Sequence, residues 1–200
     1  MSVLDQIVKA YDIRGTVPDQ LNVDVAHALG VGFAVHVRQA STSERVVIAR
    51  DMRPSGPKFV EAFSRGVLDQ GLDVIDIGLG STDMMYYASG TMDAPGAMFT
   101  ASHNPAGYNG IKLCMAGARP VGVETGLLDV KRVANEVLEG SPPRLALRAG
   151  TRTEQNVLDD FAEHVLTFVD LADIGPMKVV ADTANGMGGL VVPAVFERLA

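Results

Sequence analysis

Short runs rich in β-branched residues alternate with longer stretches of helical periodicity along almost the whole chain, and that alternation leaves little choice of fold class. Residues 45–50, 72–77, 96–100 and 110–114 read as strands, and 23–39, 57–70, 82–89 and 124–138 as helices. The helix at 57–70 sets Phe59, Ala62, Phe63, Val67 and Leu68 on one face and stops at Gly71, a residue expected just past a helix end. Strands joined through helices build a largely parallel sheet covered on both faces. The expected fold is therefore α/β: a three-layer α/β/α domain with a mixed sheet.

Gly140-Ser141-Pro142-Pro143 punctuates the chain, and the basic stretch that follows, 144–153, has no clear periodicity. This predicts a first domain over residues 1–145 and the incomplete start of a second, of related topology, over 150–200. The second unit opens with a helix turning Val157, Leu158, Phe161, Val165, Leu166 and Val169 inward, followed by a strand at 178–181, a Gly-rich turn and a further helix from about residue 190. Its strand ends Val-Val-Ala-Asp182, as the earlier one ends Val-Ile-Ala-Arg50-Asp51. About fifty residues cannot close a core alone, so the chain is expected to be a fragment of a longer protein. Its uncovered apolar residues Val179, Val191, Val195 and Phe196 are expected to favour self-association.

Composition removes several classes. With 47% hydrophobic and 20% charged residues the chain is not disordered. A net charge of −7 without a lysine or arginine run argues against nucleic acid or an anionic membrane as partner. The single cysteine, Cys114, excludes an intramolecular disulfide and makes a cytoplasmic protein the default. No basic, apolar leader opens the sequence, and the uncharged stretch 25–37 holds His27, Gly30, Gly32 and His36, which suits a buried helix better than a membrane span.

The chemistry concentrates in residues 96–112, where an apolar strand runs into the polar loop Thr100-Ala101-Ser102-His103-Asn104-Pro105 at its carboxyl end, the place where open α/β sheets put their ligands. Ser, Asn and Pro are also ordinary turn formers, and no Gly-x-Ser-x-Gly elbow accompanies the Ser-His pair. His27, His36 and His164 lack metal-ligand spacing, and Gly186-Met187-Gly188-Gly189 lacks both a Walker lysine and a complete dinucleotide fingerprint.

The string as a whole, continued by Gly107-Tyr108-Asn109-Gly110-Ile111-Lys112, resembles the phosphoserine loop of the α-D-phosphohexomutase superfamily. Tyr11-Asp12-Ile13-Arg14-Gly15 resembles that family's N-terminal active-site loop, Arg50-Asp51-Met52-Arg53-Pro54-Ser55 its second-strand turn, and Asp182-Thr183-Ala184-Asn185-Gly186-Met187-Gly188 the opening of its second domain. Thr100 before Ala-Ser-His-Asn-Pro resembles the phosphomannomutase/phosphoglucomutase branch; Ser81-Thr82-Asp83 departs from the Thr-Pro of many members, which is expected to alter a helix start and not the chemistry.

The resemblance implies an N-terminal portion of an isomerase of carbohydrate metabolism that interconverts mannose or glucose 6-phosphate and 1-phosphate through phospho-Ser102 and a hexose 1,6-bisphosphate. Ser102, Arg14, Lys112 and His103 are then the catalytic candidates. Tyr11, Arg14 and Lys112 are the candidates for binding the hexose phosphate. Ser102, as its phosphate, is the one metal position. Mg²⁺ is the implied ion, with its remaining ligands expected beyond Ala200, and the bisphosphate is the implied activator. The family's Asp-x-Asp-x-Asp-Arg metal string is not in these residues, so the 200-residue piece is expected to be inactive alone. A phosphoglucosamine mutase fragment and a non-catalytic module that binds a sugar phosphate or a partner chain stay open as alternatives.

Overall fold

The computed structural model describes residues 2–199. In chain order the elements are α1 (Val3–Ile7), β1 (Ile13–Thr16), α2 (Val23–Ala40), β2 (Arg45–Arg50), α3 (Gly56–Asp69), β3 (Asp73–Leu79), α4 (Thr82–Thr91), β4 (Gly96–Phe99), β5 (Tyr108–Met115), β6 (Arg119–Pro120), α5 (Leu127–Leu138), β7 (Arg152–Glu154), α6 (Leu158–Leu166) and α7 (Gly188–Phe196), with a 3-10 turn at Leu171–Asp173.

The sheet runs β1-β5-β4-β2-β3-β7, with β6 beside β5. β2 pairs in parallel with both β4 and β3, and β7 in parallel with β3, while β5 is antiparallel to β4 and β1 to β5. The sheet is therefore mixed, as expected. Side-chain alternation along each strand then builds two cores. Val46, Ile48, Val74, Phe99 and Ile111 pack under α2, α3 and α5, whereas Val47, Ala49, Met98 and Cys114 pack under α4 and α6. These are the three layers read from the alternation.

α2 is apolar on nearly every side because α3 and α5 flank it and the sheet lies beneath. A Cβ at Gly30 would stand 2.2 Å from the Phe63 carbonyl oxygen and one at Gly66 2.4 Å from that of His27, so glycine lets the α2 and α3 backbones touch. Phe63 joins the layers: its ring lies 6.0 Å from Phe33 and meets Phe99 edge-on at 5.3 Å. Burying each such ring contributes about 2–3 kcal/mol. No helix among the described residues is long and apolar enough to cross a membrane.

Three differences from the sequence reading have local causes. α5 starts at Leu127 instead of 124, because Gly126 sits at φ +117, outside helical space, and the His36 ring occupies the room its side chain would take. β7 emerges from the aperiodic stretch because charge and hydrogen bonding attach it and no apolar face does. Arg152 ion-pairs with Asp76 and Glu61, and Thr151 donates its amide and hydroxyl to Asp73, which holds that carboxyl below its usual range. The strand predicted at 178–181 does not form: no strand among the described residues pairs with it, and Val179 and Val180 are 50% and 87% exposed.

Candidate active site

β4 is buried along its whole length and ends at the sheet's carboxyl edge, where the chain must leave the core and return as β5. The loop between them is polar and mostly exposed, so backbone hydrogen bonds set its shape. The Thr100 amide donates to Gly110 O at 3.0 Å, the Asn104 amide to Ala101 O at 3.0 Å, and the Ser102 amide to Thr100 Oγ1 at 3.0 Å. Ser102 itself stands at φ +52, the left-handed region that non-glycine residues seldom adopt. Its exposed hydroxyl lies 3.4 Å from His103 Nδ1.

Beneath the loop lies Arg53, 5% exposed, from the turn between β2 and α3. Its Nη2 donates to the carbonyls of Ser102 at 2.9 Å and Asn104 at 2.7 Å, and its Nη1 to those of Pro105 at 2.9 Å and Tyr108 at 2.8 Å. Asp51 holds the arginine in turn, accepting its amide at 3.0 Å and facing Nε at 3.4 Å. A second tie joins the same two segments: Asn109, fully buried, donates to Ser55 Oγ at 2.8 Å.

The cations come from the neighbouring strands. The β1–β5 register sets Arg14 opposite Gly110, and β4–β5 pairing sets Lys112 opposite Met98. Strand alternation thus places Arg14, Lys112 and Thr100 on one sheet face, the α4 side. Gly110 makes room there: a side chain would run into Ile13 O at 2.4 Å and Thr100 O at 2.8 Å, with Arg14 Cγ 3.4 Å away. Asp12, buried, joins the pair, its Oδ2 accepting from Arg14 Nη2 at 2.6 Å and standing 3.4 Å from Lys112 Nζ.

Of the sequence candidates, the fold brings Ser102 and His103 together, and Arg14 and Lys112 together through Asp12. Tyr11 stands at the margin, 77% exposed, one residue before Asp12. Among the described residues neither cation hydrogen-bonds Ser102. Ser102 and Thr100 line a hollow of about 310 Å³ with Asp83 from the start of α4 and Gly186 and Met187 from the later Gly-rich turn. Ser81 caps α4, its Oγ accepting from the Met84 amide, so the Ser81-Thr82-Asp83 departure lies at a helix start.

Asp12 and Arg53 are the residues that sequence reasoning missed. Both lie inside strings already singled out, but only their partners reveal what they do. Burial pushes the Cys114 thiol up, which favours its protonated form. No three His, Cys, Asp or Glu side chains among the described residues converge on a metal-sized point. These residues alone therefore do not fit a Mg²⁺ ion, for which Ser102 offers a single oxygen.

A family model described as phosphoglucomutase/phosphomannomutase, alpha/beta/alpha domain I, matches residues 5–135. A phosphomannomutase of Escherichia coli is 37% identical over 194 residues, which cover 96% of this chain and 41% of that protein. Phosphohexose mutases of Xanthomonas campestris pv. campestris are 40% identical over 193 residues, with the same coverage. Among solved structures, a phosphoglucomutase/phosphomannomutase family protein from Burkholderia thailandensis overlays at TM-score 0.81 and 30% identity, over 96% of this chain and 42% of its own. The phosphoglucomutase parafusin of Paramecium, 15% identical, overlays at 0.76 over 97% of this chain and 41% of its own, a likeness of fold alone. The chain spans about two fifths of the length of the curated relatives it matches.

Proposed function

The chain belongs to the phosphoglucomutase/phosphomannomutase family, and from that premise we propose that it carries the phosphoserine part of a mutase interconverting hexose 6-phosphate and hexose 1-phosphate, with mannose and glucose as the sugars. One observation carries the reading: Ser102 stands at a left-handed backbone position just past the carboxyl end of β4, and Arg14 and Lys112, bridged by Asp12, share the sheet face of Thr100 two residues before it.

In this reading phospho-Ser102 gives its phosphoryl group to a free hydroxyl of the bound hexose phosphate. The P–Oγ bond breaks as a P–O bond to the sugar forms, and the sugar hydroxyl loses its proton. A phosphoserine brings about −1.5 to −2 charge and the sugar phosphate a similar amount, so catalysis depends on cations that hold the two together. Arg14 suits the phosphate oxygens through its planar fork, and Asp12 fixes where that fork points. Lys112 handles the proton of the sugar hydroxyl, and His103 that of the seryl oxygen. Tyr11 flanks the sugar. The returning step transfers the other phosphate of the hexose 1,6-bisphosphate to Ser102.

Were Mg²⁺ to take part, a Ser102 phosphate oxygen would be the one position these residues offer it, and it would supply counter-charge to the transferring phosphoryl group. Residues 1–145 are read as the phosphoserine domain and 150–200 as the start of a second, with β7 and the first turns of α6 packed onto the first domain's sheet, so the 200 residues alone are expected to show background turnover only.

The test uses the longer protein that carries this chain, incubated with hexose 1,6-bisphosphate. Intact mass should show one added phosphate, absent in Ser102→Ala; label on another serine with Ser102→Ala still active overturns the assignment. Coupled assays with the 1-phosphates of mannose, glucose and glucosamine then test the sugar. Dominant turnover of glucosamine phosphate would overturn the branch, and absence of any turnover would leave a binding module.

A further inference from the structure

We propose that Arg53 is the positioning residue of the Ser102 loop: from beneath, it imposes the backbone conformation in which Ser102 offers its hydroxyl. The inference rests on the reading of Ser102 as phosphoryl carrier and adds a residue that touches neither phosphate nor sugar.

Backbone hydrogen bonds give the loop its turns, the Tyr108 amide to Pro105 O and the Val17 amide to Gly107 O among them, but among the described residues they leave the Ser102 carbonyl without a partner. Ser102, His103 and residues 105–107 are exposed, so no apolar burial fastens them. A serine left to itself does not hold a left-handed conformation. Here both polar atoms of the Ser102 backbone are fixed, the amide by Thr100 Oγ1 at 3.0 Å and the carbonyl by Arg53 Nη2 at 2.9 Å. With the two peptide planes on either side of its Cα held, φ and ψ have no freedom, and the side chain is directed outward.

The remaining donors extend the hold. Nη2 also takes Asn104 O, and Nη1 takes Pro105 O and Tyr108 O, so one guanidinium gathers both halves of the loop. All four of its terminal N–H groups are spent on carbonyls, and Nε has no hydrogen-bond partner among the described residues. The base of the fork is rigid as well: Asp51 accepts the Arg53 amide, and Arg53 O accepts the Gly56 amide at 2.9 Å where α3 begins. Lysine cannot substitute, because three donors on one nitrogen cannot span carbonyls at both ends of a loop.

The experiment compares wild type, Arg53→Met, Arg53→Lys and Ser102→Ala in the longer protein. It reads amide hydrogen exchange, the rate of Ser102 phosphorylation by glucose 1,6-bisphosphate, and kcat and KM for glucose 1-phosphate. Both Arg53 variants should exchange the amides of residues 101–108 at least tenfold faster, with β2 and β3 unchanged. Phosphorylation and kcat should fall about a hundredfold while KM stays within about threefold, the split expected when a reacting atom is misplaced but the substrate still binds. Loop exchange at the wild-type rate, unchanged kcat, or wild-type kcat in Arg53→Lys overturns the proposal. Should Arg53→Met fail to fold, Arg53→Lys decides by the same readouts. Wild type that takes up no phosphate overturns the carrier reading instead, and loop exchange alone then tests whether Arg53 holds the backbone.

Discussion

Residues 46–51 (Val-Val-Ile-Ala-Arg-Asp) and 179–182 (Val-Val-Ala-Asp) are nearly the same words, and each ends in an aspartate that accepts the amide two residues on, from Arg53 at 3.0 Å and from Ala184 at 3.0 Å. Val46 to Ala49 are fully buried in β2, with β3 and β4 beside them and helices on both faces. Val180, by contrast, is 87% exposed in a segment without a ladder partner among the described residues. A β-branched run is a capacity for pairing, and neighbours convert it into core. The turns differ too. After Asp51 comes an arginine that gathers a loop about fifty residues further on; the corresponding position after Asp182 is Ala184, with nothing to reach with.

The largest effect should come from placing a carboxylate in each run. Val47→Asp leaves an unpaired charge in the core, at a cost comparable to the ~5–15 kcal/mol that holds a domain together, and should abolish the cooperative melt seen by circular dichroism. Val180→Asp, made like Val47→Asp in the 200-residue chain, should change stability by less than about 0.5 kcal/mol. A folded Val47→Asp protein would break the comparison.

Next come the two aspartates. Asp51→Asn removes the counter-charge from a guanidinium that is itself 5% exposed, and should cost about 3 kcal/mol in a urea titration. Asp182→Asn, on an exposed turn, should cost less than about 0.5 kcal/mol. Equal shifts in the two would mean that Asp51 acts only as a turn former.

A pH series reads the buried region alone. Burial holds the His36 imidazole below its ordinary 6.5, against a smaller opposing pull from Asp129, so the folded protein favours the neutral ring. The stability this contributes is fully present above pH 6.5 and is lost as pH falls through 6.5 toward the folded value. Denaturant midpoints should drop over that window in wild type and less in His36→Gln. A flat wild-type profile above pH 5 would remove His36 as the cause.

The smallest change sharpens the comparison from the other side. Ser64, inside α3, buries a hydroxyl without a partner among the described residues, so Ser64→Ala should leave the melting temperature unchanged or raise it, by at most about 1 kcal/mol of stability. A clear loss would reveal a hydrogen-bond partner for Ser64.

Much of this molecule was legible in its sequence, because hydropathy period and turn chemistry report which face of a segment is buried. The 2-residue and 3.6-residue patterns placed β2, β4, α2 and α3 within a residue or so, and the string around Ser102 located the loop at a strand's carboxyl end. What only the tertiary structure decided are contacts between residues far apart in the chain. Asp12 meets Lys112 across 100 positions, Arg53 meets the carbonyls of 102–108 across about fifty, and β7 finds β3 through Asp73 and Asp76 and α3 through Glu61. Periodicity encodes burial, which each segment expresses by itself. A hydrogen bond or ion pair requires two particular atoms within about 3 Å, and no single segment carries that information.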